Sequence, residues 1–205
     1  MQPLQLTQVV SRQIGPIDLT IRAGETVALS GESGSGKSLL LRAIADLDPH
    51  QGCITLGDIA QDACPPSQWR HQIAFIAAES QWWGDRVVDH FPLSHLEQGM
   101  PWLELAGFSD DSLQWSIHRL STGEKQRLAI VRQLFRQPAV LLLDEPTASL
   151  DPENVIRIEQ LLQQYQQQHQ VPILWVSHDP EQRARVATHQ LKMDGGRLHA
   201  TGATT

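Results

Sequence analysis

Cysteine is nearly absent: Cys53 and Cys64 are the only two in 205 residues. Two thiols give neither the density of a disulfide framework nor the spacing of a metal site, so they read as buried or incidental thiols in a reducing compartment. No apolar run approaches the ~20 residues of a membrane-spanning helix. The opening Met1-Gln-Pro-Leu-Gln-Leu6 has no basic region followed by an apolar stretch, so no signal peptide is expected. Positive charge is in deficit, with 16 Lys and Arg against 23 Asp and Glu and a net charge of -7. That balance argues against nucleic acid as a partner, and any phosphate affinity must come from a local arrangement of backbone and side chains. No Phe, Trp or Tyr precedes Trp69. The expected location is cytoplasmic, with a membrane reached only through a partner.

The most informative segment is Val140 to Asp151, Val-Leu-Leu-Leu-Asp-Glu-Pro-Thr-Ala-Ser-Leu-Asp. Its apolar run, Val140–Leu143, suits a parallel strand covered on both faces. Two adjacent carboxylates, Asp144 and Glu145, are costly in such a core unless they end the strand and face a ligand or metal. Ligands of open α/β sheets bind at the carboxyl ends of strands. One carboxylate can then serve a metal and the other a water. Pro146 stops the strand.

The second anchor is Gly31-Glu-Ser-Gly-Ser-Gly-Lys37-Ser38, which matches G-x-x-x-x-G-K-[ST], the P-loop. It follows an apolar strand, Thr26–Ser30, and opens a helix through Leu39–Leu47. Gly31, Gly34 and Gly36 let the backbone turn tightly so that N–H groups point at phosphate oxygens. The helix N-terminus adds its partial positive charge. Lys37 is expected to reach the β- and γ-phosphates, and the Ser38 hydroxyl to ligate Mg²⁺.

Around these anchors, short β segments are expected at Leu4–Val10, Ile17–Ile21, Cys53–Leu56 and Gln72–Ala77. The residues from about Trp82 to Ser116 differ in character. They hold Trp82, Trp83, Trp102 and Trp115, with Pro92, Pro101 and a loop at Gly107–Asp111. This region reads as a compact, mostly helical insert whose tryptophans mainly pack, with one or two exposed. Helices follow over Gly123–Arg136 and Glu153–His169, and a strand over Ile173–Val176. The run Gln163–Gln170 reads as the solvated face of its helix, because Leu161, Leu162 and Tyr165 supply an apolar side.

Leu120-Ser-Thr-Gly-Glu-Lys-Gln-Arg127 completes the set: Ser121 is placed to cap a helix whose first turn holds Gly123 and Glu124. In this order and spacing the chain resembles the ATP-binding subunits of ABC transporters over nearly its whole length. The P-loop resembles Walker A, and Leu120–Glu124 the LSGGQ signature, with Thr122 and Glu124 as departures. Val140–Glu145 resembles Walker B, Ala148–Asp151 the D-loop and Ser177-His178-Asp179 the H-loop. The resemblance implies an α/β P-loop ATPase with an N-terminal antiparallel β region. It implies one domain over residues 1–205, with a small helical subdomain at about 82–118 inserted in a RecA-like core. Gly31, Glu32, Ser33, Gly34, Ser35, Gly36, Lys37, Ser38 and Leu39 are then expected to bind ATP. Asp144 is expected to hold Mg²⁺ beside Ser38, Glu145 to polarise the attacking water, and His178 to tie the γ-phosphate to that base. ATP hydrolysis in a head-to-tail dimer, a homodimer in the simplest case, would bring Ser121, Thr122, Gly123 and Glu124 of one subunit onto ATP held by the other. Asp151 would communicate across that interface.

Two departures qualify the resemblance. Family members place a Gln just after the strand equivalent to Gln72–Ala77, and here Ala78 aligns with it. Glu79 and Gln81 are the nearby candidates, Glu79 as a possible further Mg²⁺ ligand. The family also stacks adenine on an aromatic in the N-terminal β region, where this chain offers Arg12 or Ile14; a guanidinium plane stacks on a purine. The function the resemblance implies is an ATPase that drives a separate integral membrane permease, whose cytoplasmic loop the insert would receive. The stretch Gly84–Asp89 and the short insert look like ATP-binding subunits of metal-ion export. The alternative is a soluble ABC-type ATPase of assembly or repair.

Overall fold

The computed structural model describes residues 2–201; residue 1 and residues 202–205, the two ends of the expected domain, lie outside it. The elements are β1 (Leu4–Ser11), β2 (Ile14–Ile21), β3 (Thr26–Ser30), α1 (Lys37–Ile44), β4 (Gln51–Leu56), β5 (Ile59–Ala60), α2 (Pro66–Gln72), β6 (Ile73–Ile76), α3 (Leu96–Leu105), α4 (Thr122–Leu134), β7 (Val140–Asp144), α5 (Pro152–His169), β8 (Ile173–Val176), α6 (Pro180–Val186), β9 (His189–Asp194) and β10 (Arg197–Ala200).

Two sheets form. The N-terminal one is antiparallel, in the order β2-β1-β4-β5, and alternates buried and exposed side chains along β1. Gln8, at φ 51°, marks an irregularity where β1 slips against both neighbours. The larger sheet runs β10-β9-β3-β8-β7-β6, and its strands from β9 to β6 pair parallel. Its central strands β7 and β8 read as unbroken apolar runs because both faces are covered: Leu141, Leu142 and Leu143 are buried, as are Ile173 to Val176. One apolar cluster fills the space between the antiparallel sheet, α1 and one face of the parallel sheet. The other lies between the opposite face, α4, α5 and the insert.

The order β3-β8-β7 places the site. Three loops leave the carboxyl ends of three adjacent parallel strands, which is where α/β sheets bind ligands. The P-loop follows β3, His178 follows β8 and Glu145 follows β7.

Several expected boundaries shift. α1 begins at Lys37, two residues early, and ends at Ile44, not Leu47. β4 begins at Gln51. The insert is less helical than expected: α3 is its one α-helix among the described residues, and the rest is short 3-10 turns at Val87–His90, Leu93–His95, Asp110–Gln114 and Ile117–Arg119. Trp102 is buried edge-on to Tyr165, with ring centres 5.2 Å apart, while Trp83 is 74% exposed. α3 and α4 meet closely at Gly99, where a Cβ would stand 2.3 Å from the Phe135 ring. No helix among the described residues is long and apolar enough to cross a membrane.

Candidate active site

The P-loop takes its shape from glycines that no other residue can replace. Gly31 and Gly36 sit at φ 149° and 107°. A Cβ on Gly31 would come 2.4 Å from the Met193 carbonyl oxygen, and one on Gly36 2.2 Å from Ile14 Cγ2. The loop wraps Lys37, whose Nζ donates to the carbonyls of Gly31 and Glu32, each at 2.8 Å. Lys37 is buried, held by backbone oxygens and not by a carboxylate. The Ser35 hydroxyl is buried without a hydrogen-bond partner, and no side chain caps the N-terminus of α1. A buried ammonium, an orphan hydroxyl and an uncapped helix N-terminus together fit a polyphosphate anion. Ser33, Gly34, Gly36, Lys37, Ser38 and Leu39 line a cavity of about 200 Å³ that Glu145 and His178 close from the far side.

Glu145 directly follows β7 in the left-handed region, at φ 51°, and its N–H donates to the Val176 carbonyl at 3.2 Å. A non-glycine residue held there costs about 1 kcal/mol or more and persists only where the surroundings enforce it. His178 Nε2 lies 3.1 Å from Glu145 Oε1. Behind this pair a second cavity of about 230 Å³ is lined by Thr147, Ala148, Val155, Ser177, Asp179 and Gln182.

Oxygen donors suit a hard cation here: Ser38 is exposed in the first turn of α1 and Asp144 ends β7. Among the described residues no group of three or more His, Cys, Asp or Glu side chains could hold a metal ion by itself. An ion at Ser38 and Asp144 therefore fits only with nucleotide oxygens and water completing its shell, as Mg²⁺ commonly binds. Glu79 lines a separate cavity of about 160 Å³ with Ala77, Gln81 and Arg132, because the loop after edge strand β6 turns toward α4. It does not join Ser38 and Glu145.

Ser121 and Glu124 form a reciprocal cap on α4. Ser121 Oγ accepts from the Glu124 N–H at 3.2 Å, and Glu124 Oε2 accepts from the Ser121 N–H at 2.8 Å. These bonds hold the Glu124 carboxyl below the usual carboxylate range. Ser121 and Thr122 are exposed, and Ser121 to Glu124 line neither cavity beside Glu145. Within one chain the signature and the P-loop are thus kept apart. Gly123 faces Leu150 and Ser149, so the signature instead borders the segment before α5. There Asp151 caps α5, accepting from the Asn154 N–H at 3.1 Å; its bonds to Asn154 depress its pKa.

Of the two residues expected to cover a base, Ile14 is buried under Gly36 and has no free face. Arg12 is exposed at the end of the β1–β2 hairpin, and its Nη2 is fixed 3.0 Å from Asp48 Oδ1. Arg42 holds the same carboxylate at 2.7 Å.

Two buried glutamines at the site, Gln126 and Gln182, carry no motif signal in the sequence. Gln126, in α4, donates to the carbonyls of Ala77 at 3.0 Å and Pro146 at 3.3 Å. Gln182, in α6, donates to Thr147 Oγ1 and Glu159 Oε1, each at 2.9 Å. The available signal was a polar residue at a position with core periodicity, which sequence alone does not distinguish from a solvated face.

The family model for the ABC transporter matches residues 14–148, more than half of the chain. An aliphatic sulfonates import ATP-binding protein, SsuB, of Pseudomonas fluorescens (strain Pf0-1) is 35% identical over 196 residues, covering 92% of this chain and 70% of that protein. The probable iron export ATP-binding protein FetA of Escherichia coli (strain K12) is 33% identical over 175 residues, covering 81% and 78%. Among solved structures, an ATP binding subunit of an ABC transporter superposes with a TM-score of 0.88 at 21% identity, over 98% of this chain and 90% of that one. CbiO1 of Clostridium perfringens, part of the ABC transporter complex cbiONQ, gives 0.83 at 25% identity, over 97% and 87%. With its P-loop, its Glu145–His178 pair and its capped signature helix in the places described, the chain belongs to the ABC transporter family as an ATP-binding subunit, and it is an ATPase.

Proposed function

We propose that two copies of this chain associate head to tail, bind ATP between them and drive a separate membrane permease from its cytoplasmic side. Each copy is read as one ATPase domain with a small subdomain at about 82–118. The observation that carries the catalytic part is the 3.1 Å contact between His178 and Glu145 at the mouth of the P-loop cavity. Lys37 binds the β- and γ-phosphate oxygens, and the backbone from Gly31 to Leu39 cradles the rest. Glu145 accepts a proton from water as its oxygen bonds to the γ-phosphorus. The bridge to the β-phosphate breaks, and ADP and inorganic phosphate leave. His178 orients Glu145 and donates to a γ-oxygen as charge shifts there. Mg²⁺, held by Ser38 and Asp144, supplies charge neutralisation to the phosphates when bound.

The dimer reading is supported by the separation of Ser121–Glu124 from the P-loop within one chain. The exposed start of α4, at Ser121 and Thr122, suits a γ-phosphate presented by a second copy. The permease reading is supported by Trp83, exposed beside Arg132, whose guanidinium lies 5.1 Å from its ring centre. The net charge of -7 supports the absence of a nucleic-acid partner. SsuB and FetA are named for import and export, which does not favour the soluble alternative.

The test is Glu145→Gln. The expected result is ATP binding retained, hydrolysis lost, and recovery of a polytopic membrane protein in stoichiometric amount when the variant is pulled from detergent-solubilised membranes with ATP and Mg²⁺. Recovery of soluble partners alone, with the protein absent from membranes, would overturn the permease reading.

A further inference from the structure

Behind the reacting groups lies a buried polar cluster that the chemistry above does not use. Gln182 Nε2 donates both ways, to Thr147 Oγ1 and to Glu159 Oε1, at 2.9 Å each. Glu159 also accepts a two-pronged contact from Arg185, Nε to Oε2 at 2.9 Å and Nη2 to Oε1 at 2.8 Å. Thr147, Glu159 and Gln182 are 7%, 4% and 4% exposed. Polar groups this deep are costly unless paired, and packed apolar residues would fill the same volume at no such cost. What a hydrogen-bonded cluster adds is a fixed geometry.

The cluster ties the turn that carries Glu145 to α5 and α6. Thr147 follows Glu145 by two residues. The Ala148 N–H donates to the Glu145 carbonyl at 3.2 Å and the Leu150 N–H to the Thr147 carbonyl at 3.1 Å, so Thr147 and Glu145 move as one turn. On the other side, Arg183 Nη1 donates to the Ser177 carbonyl at 2.9 Å and the Asp179 N–H to Ser177 Oγ at 3.1 Å. Those bonds tie Ser177, the residue before His178, to Asp179 and to α6, which carries Gln182. Glu159 adds α5, the helix that Asp151 caps. One amide nitrogen therefore joins the turn of the base, the helix that follows the histidine and the helix that follows the D-loop segment.

We propose that Gln182 is a positioning residue for ATP hydrolysis: through Thr147 and Glu159 it sets the separation of Glu145 and His178. The proposal rests on the reading of Glu145 as the general base. Gln182 touches neither ATP nor water; it acts by holding two groups in register, and small misplacements of reacting groups carry large rate penalties.

Steady-state hydrolysis and melting temperature of the full chain test it, in Thr147→Val, Thr147→Ser, Gln182→Leu and the Thr147→Val/Gln182→Leu double variant, with Glu145→Gln as control. Thr147→Val is near-isosteric and removes only the acceptor of Gln182. The expected result is a kcat lower by about tenfold at unchanged KM and melting temperature, consistent with a loss of alignment. Thr147→Ser restores the rate, and the double variant loses less than the product of the single losses. Folded Thr147→Val with the wild-type kcat overturns the proposal. So does a loss in which KM and melting temperature change together and Ser fails to restore. If Glu145→Gln is inactive while the cluster variants hydrolyse normally, the clamp alone fails; if Glu145→Gln hydrolyses normally, the assignment of the base fails.

Discussion

His178 Nε2 and Glu145 Oε1 stand 3.1 Å apart across the ends of β8 and β7, neighbouring strands paired in parallel from Leu141–Ile173 to Asp144–Val176. Parallel pairing brings the two backbones side by side, with Glu145 next after β7 and His178 two residues past β8. His178→Ala is therefore expected to leave the fold and ATP affinity intact while lowering kcat by about a hundredfold, the order typical of a misoriented general base. Steady-state kinetics with a parallel ATP-binding titration checks this. Normal turnover would remove the histidine from the mechanism.

Arg12 offers a flat cation, not a ring, at the end of the β1–β2 hairpin, and Asp48 holds it still. An aromatic contact contributes about 1 kcal/mol beyond its buried area, and without it base discrimination weakens. GTP is expected to compete with ATP within about tenfold in an equilibrium competition assay. Strong preference for ATP would contradict the assignment.

Ala78 is exposed in the loop after β6, at the position where the family resemblance leads one to expect glutamine, and neither Glu79 nor Gln81 lines the Ser38–Glu145 cavity. Restoring the amide with Ala78→Gln is expected to raise ATP turnover and shift its Mg²⁺ dependence. Unchanged rate and unchanged Mg²⁺ response would show that the missing side chain is immaterial.

At Gly99 two effects oppose. Alanine improves helix propensity by about 1 kcal/mol. Its Cβ would also meet three Phe135 ring carbons at 2.3 to 2.4 Å, and that ring is 1% exposed with nowhere to move. Overpacking of this kind costs about 1–3 kcal/mol, so the clash wins. Gly99→Ala is expected to lower the melting temperature, and a rise would mean that α3 and α4 separate freely.

The Arg42 guanidinium, hydrogen-bonded to Asp48, holds that carboxyl below its ordinary value of 3.8. A depressed folded-state pKa contributes stability that is complete above the unfolded value and is lost as pH falls through the folded one. The difference in melting temperature between wild type and Asp48→Asn is thus expected to be full at pH 7 and to close below about 3.8. A gap constant down to pH 3 would refute the linkage.

The parts most legible in the sequence were those where burial alone dictates the element. β3 and β8 fall on the expected residues, and β7 adds only Asp144 to its apolar run, because such runs have no other comfortable home. α2, α6, β5, β9 and β10 carry no clear signal in the sequence. Pro66–Gln72 and Pro180–Val186 are short and mostly polar, and His189–Asp194 buries only Met193 fully, so none carries a clean period. The insert reads as mostly helical in the sequence, but most of it settles into 3-10 turns around which Phe91, Trp102 and Phe108 pack. At the site, motif spacing placed Lys37, Glu145 and His178 near one cavity. The Gln182 cluster was invisible, because its members meet only once α5 and α6 have packed on the turn after β7.

Gln126 gives the chain a mechanical property. One side chain on the signature helix grips both the end of β6 and the proline after the base. A partner that twists α4 about its axis must strain one of those bonds or drag both strand ends along. Torque on the outer helix and displacement at the reacting carboxylate are then two readings of a single gear. The attitude of the outer helix and the position of the loop that carries the carboxylate are thereby linked through one amide.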